Sequence, residues 1–117
     1  MSNDARKRAA LSEQAFLILL SLAPGPKHGY AILKDVESLS DGSVVLGTGT
    51  LYGALKRLMG QSLIERVPDP IPNDTARERN AYALTEEGRR VMQAEAARLD
   101  ALLVAARQRL APRRTEG

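Results

Sequence analysis

The residues best suited to chemistry lie in one stretch, GTGTLYGALKRL, Gly47–Leu58. Wound at 3.6 residues per turn, it puts Leu51, Leu55 and Leu58 at i, i+4 and i+7, one buried stripe. The other side carries Gly49, Gly53, Lys56 and Arg57, with Thr50 and Tyr52 on its flanks. Glycine inside a helix costs up to about 1 kcal/mol relative to alanine, so a face that holds two has reason to bring its backbone close to something. Gly49, near the helix start, leaves exposed N–H groups and the positive dipole end open to an anion such as phosphate. Gly53 lets the helix settle against a neighbouring surface, while Lys56 and Arg57 supply charge. Tyr52 can donate its hydroxyl to a phosphate or lay its ring along a sugar, against the alternative of half-buried packing. For Lys56 the alternative is ordinary solvation.

Other chemistry finds less support. Gly47, Gly49 and Gly53 resemble a stretched GxGxxG, but the third glycine is displaced by one position. A dinucleotide fold also continues into further parallel strands, for which the remaining chain has neither the pattern nor the length. His28 stands alone, with no cysteine or second histidine to share a metal. Glu86 and Glu87 are adjacent, so on a helix they diverge by about 100° and suit dipole compensation better than acid–base catalysis. With no nucleophile–base pair to nominate, the chain is expected not to be an enzyme and to need no cofactor or metal.

These residues sit in a chain of 117 amino acids, 44% apolar and 26% charged, enough for one modest core. Cysteine and tryptophan are absent, so disulfides and thiolate metal sites are excluded. The net charge is +3 and the pI about 9.6, a basic excess that matters only through placement. Basic groups gather at ARKR near the start, at KR in the glycine-bearing helix, at ARER, and at APRR near the end. The segment ARKRAALSEQAFLILLSLA imitates a secretory signal, but Glu13 and Gln14 interrupt it and its apolar run is short. A cytoplasmic protein with no membrane span is expected, since a span needs about 20 apolar residues.

The elements that must position the stretch follow from caps and breakers. Residues 1–10 read as a flexible arm. Ser12 caps a central helix running to about Leu22, ended by Pro24, Gly25 and Pro26. A second helix is expected from His28 to Leu39, with Ile32, Val36 and Leu39 inward. SVVL reads as an extended link, and the third helix runs from Thr48 to Met59 with Gly60 as its C-cap. LIERV and NAYAL read as strands around the loop PDPIPNDTARER, with Tyr82 and Leu84 on one face. Thr85 caps a last helix reaching Leu110. Three helices followed by a β-hairpin make a mainly α winged helix-turn-helix, here over residues 11–84. Its third helix normally enters the major groove of DNA while the hairpin loop lies on phosphates. Residues 85–110 form the last helix and 111–117 a flexible tail.

The segments GPKHGYAIL, GTGTLYGALKRLMGQSLIER and AYALTEEGR resemble the PadR family of transcriptional regulators, in order and with matching gaps, over about Leu11–Arg90. The resemblance implies a bacterial winged-helix DNA-binding protein, dimeric through its C-terminal helix and usually a repressor. That family's recognition helix often carries Ser-Pro before Gly-Thr-Leu-Tyr and Pro after it; here Gly47-Thr48 and Gly53 stand at those positions. The short C-terminal part resembles the compact branch, with a single helix. Such dimers can hold small-molecule effectors between their C-terminal helices and DNA-binding domains, although this chain has few aromatics to stack on a flat ligand.

The combined expectation is a homodimer on a palindromic double-stranded DNA operator. Thr48, Gly49, Thr50, Tyr52, Gly53, Lys56 and Arg57 would supply the groove contacts, and Lys27, Arg77 and Arg79 would reach phosphates. Met92, Ala96, Leu99, Leu103, Ala106 and Leu110 recur at steps of four and three, the period of a coiled-coil seam. These would form the dimer contact. The alternative reading is a winged-helix module that uses the same helix to bind protein instead of DNA.

Overall fold

The computed structural model describes residues 11–68 and 81–113. The first helix, α1 (Glu13–Leu22), is capped by Ser12, whose hydroxyl accepts from the Ala15 N–H at 3.1 Å. Leu17, Ile18, Leu19 and Leu22 are buried, as an apolar run on nearly every side requires of a central helix.

After Pro26 the chain forms a two-residue strand, β1 (Lys27–His28), and only then the helix α2 (Gly29–Leu39). The expected helix start at His28 is therefore moved to Gly29. His28 instead pairs with Ala81 and Lys27 with Tyr82, giving a hydrogen-bonding partner to the strand edge that a lone hairpin would leave open. Ile32 and Val36 are buried, but Leu39 is exposed. The chain leaves the core directly after Leu39: Gly42 N–H bonds Glu37 O at 2.8 Å, and Asp41 and Gly42 both take positive φ.

The third helix, α3 (Thr48–Gly60), buries Leu51, Ala54, Leu55 and Leu58, the expected stripe with one small residue added. Gly60 does not cap it. The helix runs through Gly60 to Gln61, and the left-handed turn falls on Ser62 (φ 63°). Strands β2 (Ile64–Val67) and β3 (Ala81–Leu84) pair antiparallel, with Ile64 opposite Leu84 and Val67 opposite Ala81. The sheet order is β1-β3-β2, so β3 is central. Tyr82 is buried and Leu84 partly so, and both pack on the core.

The last helix, α4 (Glu86–Arg109), begins at Thr85, whose hydroxyl accepts from the Gly88 N–H at 2.9 Å and donates to Ser62 O at 2.7 Å. Gly88 is fixed by proximity. A Cβ there would overlap the Leu63 carbonyl oxygen and lie 2.9 Å from Leu84 Cδ1. Arg89 then donates to Ala23 O at the end of α1, at 3.2 Å. Among the described residues, no helix is long and apolar enough to cross a membrane. The expected arm at 1–10 and the end of the tail, 114–117, lie outside the described residues.

Candidate nucleic-acid interface

The exposed side of α3 is built by the burial of its leucines. With Leu51, Leu55 and Leu58 in the core, Thr48, Gly49, Thr50, Lys56 and Arg57 are left at the surface. The N-cap is Gly47, which offers no side-chain cap, and the first intrahelical bond is Leu51 N–H to Gly47 O at 2.9 Å. The N–H groups of Thr48, Gly49 and Thr50 therefore precede the helical ladder, as at any helix start. Among the described residues, a Cβ built on Gly47 or Gly49 meets nothing within 4 Å, so neither glycine is enforced by crowding. No side-chain cap competes with an anion for these N–H groups.

Gly53 lies half-buried on the same surface, and the atom nearest its missing Cβ is Arg57 Nη1 at 3.9 Å. The guanidinium thus folds back over the glycine one turn earlier. Tyr52 is 46% exposed, and its hydroxyl end rests on Gly29, the first residue of α2. One side of this tyrosine therefore packs on α2 while the other faces outward.

Lys27 sits in β1 with its ammonium 3.9 Å from Asp35 Oδ2, so a carboxylate already shares its charge. Arg77 and Arg79 lie outside the described residues. Sequence reasoning passed over Tyr30 and Lys34 of α2. Tyr30 is 69% exposed, and Lys34 Nζ stands 5.7 Å from its ring centroid. Their i, i+4 spacing, opposite the buried Ile32 and Val36, was the signal available.

The C-terminal seam separates into two parts. Met92 belongs to the core of its own chain, and Glu95 is also buried. Arg98 grips Glu95 through Nε at 3.0 Å and Nη2 at 2.6 Å. That hydrogen-bonded pairing holds the Glu95 carboxyl below its ordinary value of 4.5 against the opposing effect of burial. The same hydrogen bonds raise the Arg98 guanidinium further above its ordinary range. Beyond this pair, Ala96, Leu99, Leu103 and Leu110 are exposed and Ala106 half-buried, Leu110 reaching 81%. Leu102 and Val104, which the seam pattern omitted, are exposed as well.

Comparison with known proteins gives a consistent result. The profile of the transcriptional regulator PadR-like family matches residues 18–94. Over 85 residues the chain is 36% identical to an uncharacterized 37.1 kDa transposon protein of Streptomyces fradiae, covering 73% of this chain and 22% of that protein. The chain therefore spans less than a quarter of that relative. A PadR family transcription regulator from Clostridium difficile superposes with a TM-score of 0.71 at 25% identity, covering 85% of this chain and 99% of the other. A PadR family regulator from Eggerthella lenta gives a TM-score of 0.65 at 29% identity, covering 86% and 87%.

Proposed function

The chain belongs to the PadR-like family of transcriptional regulators, and on that premise we propose that it is a repressor binding a palindromic operator as a homodimer. PadR-family regulators are non-enzymatic DNA-binding proteins, and the fold is their winged helix. The observation that carries the finer reading is the α3 surface. Its N-terminus, without a side-chain cap, adjoins exposed Thr48, Thr50, Lys56 and Arg57 and half-exposed Tyr52, directly above the leucine stripe. In this reading α3 enters the major groove, Gly49 admits a phosphate to the helix end, and Gly53 permits close approach. Arg77 and Arg79 reach phosphates from the wing. Tyr30 and Lys34 extend the contact along α2, with Lys27 contributing as far as Asp35 releases it.

The dimer rests on α4. At 1.5 Å per residue its 24 residues span about 36 Å, yet its buried residues are confined to Gly88, Met92 and Glu95 in the first half. The exposed leucines that follow are covered most economically by the same segment of a second chain about a two-fold axis. A two-fold pair presents two recognition helices to half-sites roughly 34–36 Å apart. Such a repressor would act in the bacterial cytoplasm, and a small effector seated between the α4 helices and the winged domains would be its means of release.

The test is retention on DNA-cellulose followed by footprinting on genomic DNA. Phosphate contacts release counterions, so retention is expected to fall steeply as salt rises, with a log–log slope of about −0.9 per phosphate. Absence of retention, or retention indifferent to salt, overturns the DNA reading and favours a protein-binding module.

A further inference from the structure

We infer that Gly29, in α2, is a positioning residue for DNA recognition, acting through Tyr52 of α3. The inference rests on the DNA-binding reading above and deepens it. Gly29 is buried and opens α2, yet nothing in its backbone calls for glycine, because its φ is not in the positive region where Gly42 lies. Its first-turn helical position tolerates almost any residue. What the position lacks is room. A Cβ there would overlap the Tyr52 hydroxyl oxygen, lie 2.9 Å from Cζ and stand 3.4 Å from Cε1. The absent side chain is therefore the seat of the tyrosine ring.

That seat determines where an exposed phenol points. Tyr52 lies one turn after Thr48 and one turn before Lys56, so the three form a single i, i+4 ridge on α3. Thr48 and Lys56 are exposed, and Tyr52 is the ridge member tied to a second helix. With the ring seated on Gly29, the phenol lies across the joint between α2 and α3. Fill the seat with a methyl group and the hydroxyl end has to swing away from α2, since the ring is a movable side chain and the Gly29 backbone is not. The ridge then presents its phenol in a different place, while Leu51, Leu55 and Ile32 beneath keep their packing.

The experiment is a double-mutant cycle on the full chain, read by affinity for the operator duplex recovered by footprinting. Gly29→Ala is expected to weaken binding about tenfold per half-site, the effect of losing one hydrogen bond to a charged phosphate. Its thermal midpoint should stay near that of the wild type. With Tyr52→Ala, the seat is already empty, so adding Gly29→Ala should change affinity less than twofold. In parallel, NMR of tyrosine-labelled protein should show the Tyr52 ring signals shifted by Gly29→Ala without DNA present. Equal losses in both backgrounds, or unmoved Tyr52 signals, overturn the positioning role. If Gly29→Ala alone does not fold, Gly29→Ala/Tyr52→Ala must recover folding, and failure to do so also overturns it. Absence of salt-sensitive operator binding by the wild type sinks the DNA reading instead, and is distinguished because the NMR contact is read without DNA.

Discussion

Replacing Gly53 by glutamate should move two measurements in opposite directions. A Cβ at this position meets nothing closer than Arg57 Nη1 at 3.9 Å, so the new side chain enters without a clash. Removing a mid-helix glycine stabilises α3 by about 0.5–1 kcal/mol. A carboxylate four residues before Arg57 adds about 0.2–0.5 kcal/mol. Together these approach about 1 kcal/mol, worth roughly 4–8 °C in melting midpoint for a small domain. DNA binding should respond the other way. The carboxylate brings a single negative charge that cancels the charge of Arg57, the equivalent of one phosphate contact per half-site. At about 0.9 per contact the log–log salt slope flattens by about 0.9, and affinity at 0.15 M salt falls about fivefold. In a dimer the change occurs twice, giving about 1.8 in slope and about 30-fold in affinity. Thermal melts by circular dichroism and fluorescence anisotropy on an operator duplex across a salt series supply both numbers. Affinity within about threefold of the wild type, with the midpoint raised, would refute the assignment of this face to DNA. A lowered midpoint would refute the local geometry.

Four further outcomes are expected. Lys56→Ala should flatten the salt slope by about 0.9 per half-site and weaken all sequences alike, whereas relaxed sequence preference at unchanged slope would make Lys56 a base reader. Gly88→Ala should destabilise the fold by about 1–3 kcal/mol or more, because the methyl group meets the Leu63 backbone carbonyl, and an unchanged melt would contradict the close approach. The Glu95 carboxyl is held below 4.5 by Arg98, so its contribution is present above that value and disappears as pH falls through the lower folded one. Glu95→Gln should therefore flatten the acid limb of stability against pH, and an identical limb would remove the pairing as its cause. Leu99→Asp with Leu103→Asp should yield folded monomers in sedimentation, since both side chains lie outside the core; a wild type that is already monomeric at micromolar concentration defeats the dimer argument.

Features that depend on local chemistry were legible in the sequence. Ser12 and Thr85 cap the helices they precede because a short hydroxyl beside an N-terminus has one good use. The Leu51, Leu55, Leu58 stripe is buried because spacing alone brings it to one face. Features that depend on a partner distant in sequence were hidden. Lys27–His28 is a strand only because β3 offers an edge, and two residues carry no periodicity of their own. Ser62 takes a left-handed turn two residues beyond the expected cap Gly60, where the Thr85 hydroxyl and N–H hold the Ser62 and Leu63 carbonyls. The seat at Gly29 could not be read either, because its cause is a tyrosine 23 residues away. The seam pattern was legible, but not the point where it leaves the core, which falls between Met92 and Ala96.

The joint between α3 and α4 links these observations. Ser62 and Leu63 follow α3 immediately, and both are held by the first turn of α4: Thr85 Oγ1 donates to Ser62 O, and the Thr85 N–H donates to Leu63 O at 3.1 Å. Gly88 removes the side chain that would hold the two backbones apart, and Arg89 fastens the same turn to the end of α1. Two donors and a missing Cβ thus fix the start of α4 against the end of α3, and a third donor ties the same turn to α1. The bare half of α4 extends from that fixed point as a rigid helix. Its direction is set by the core, and the separation of two α3 helices in a seam-paired dimer follows from the direction of α4. In such a dimer the Thr85 bonds to Ser62 and Leu63 would connect the paired helices to the end of α3.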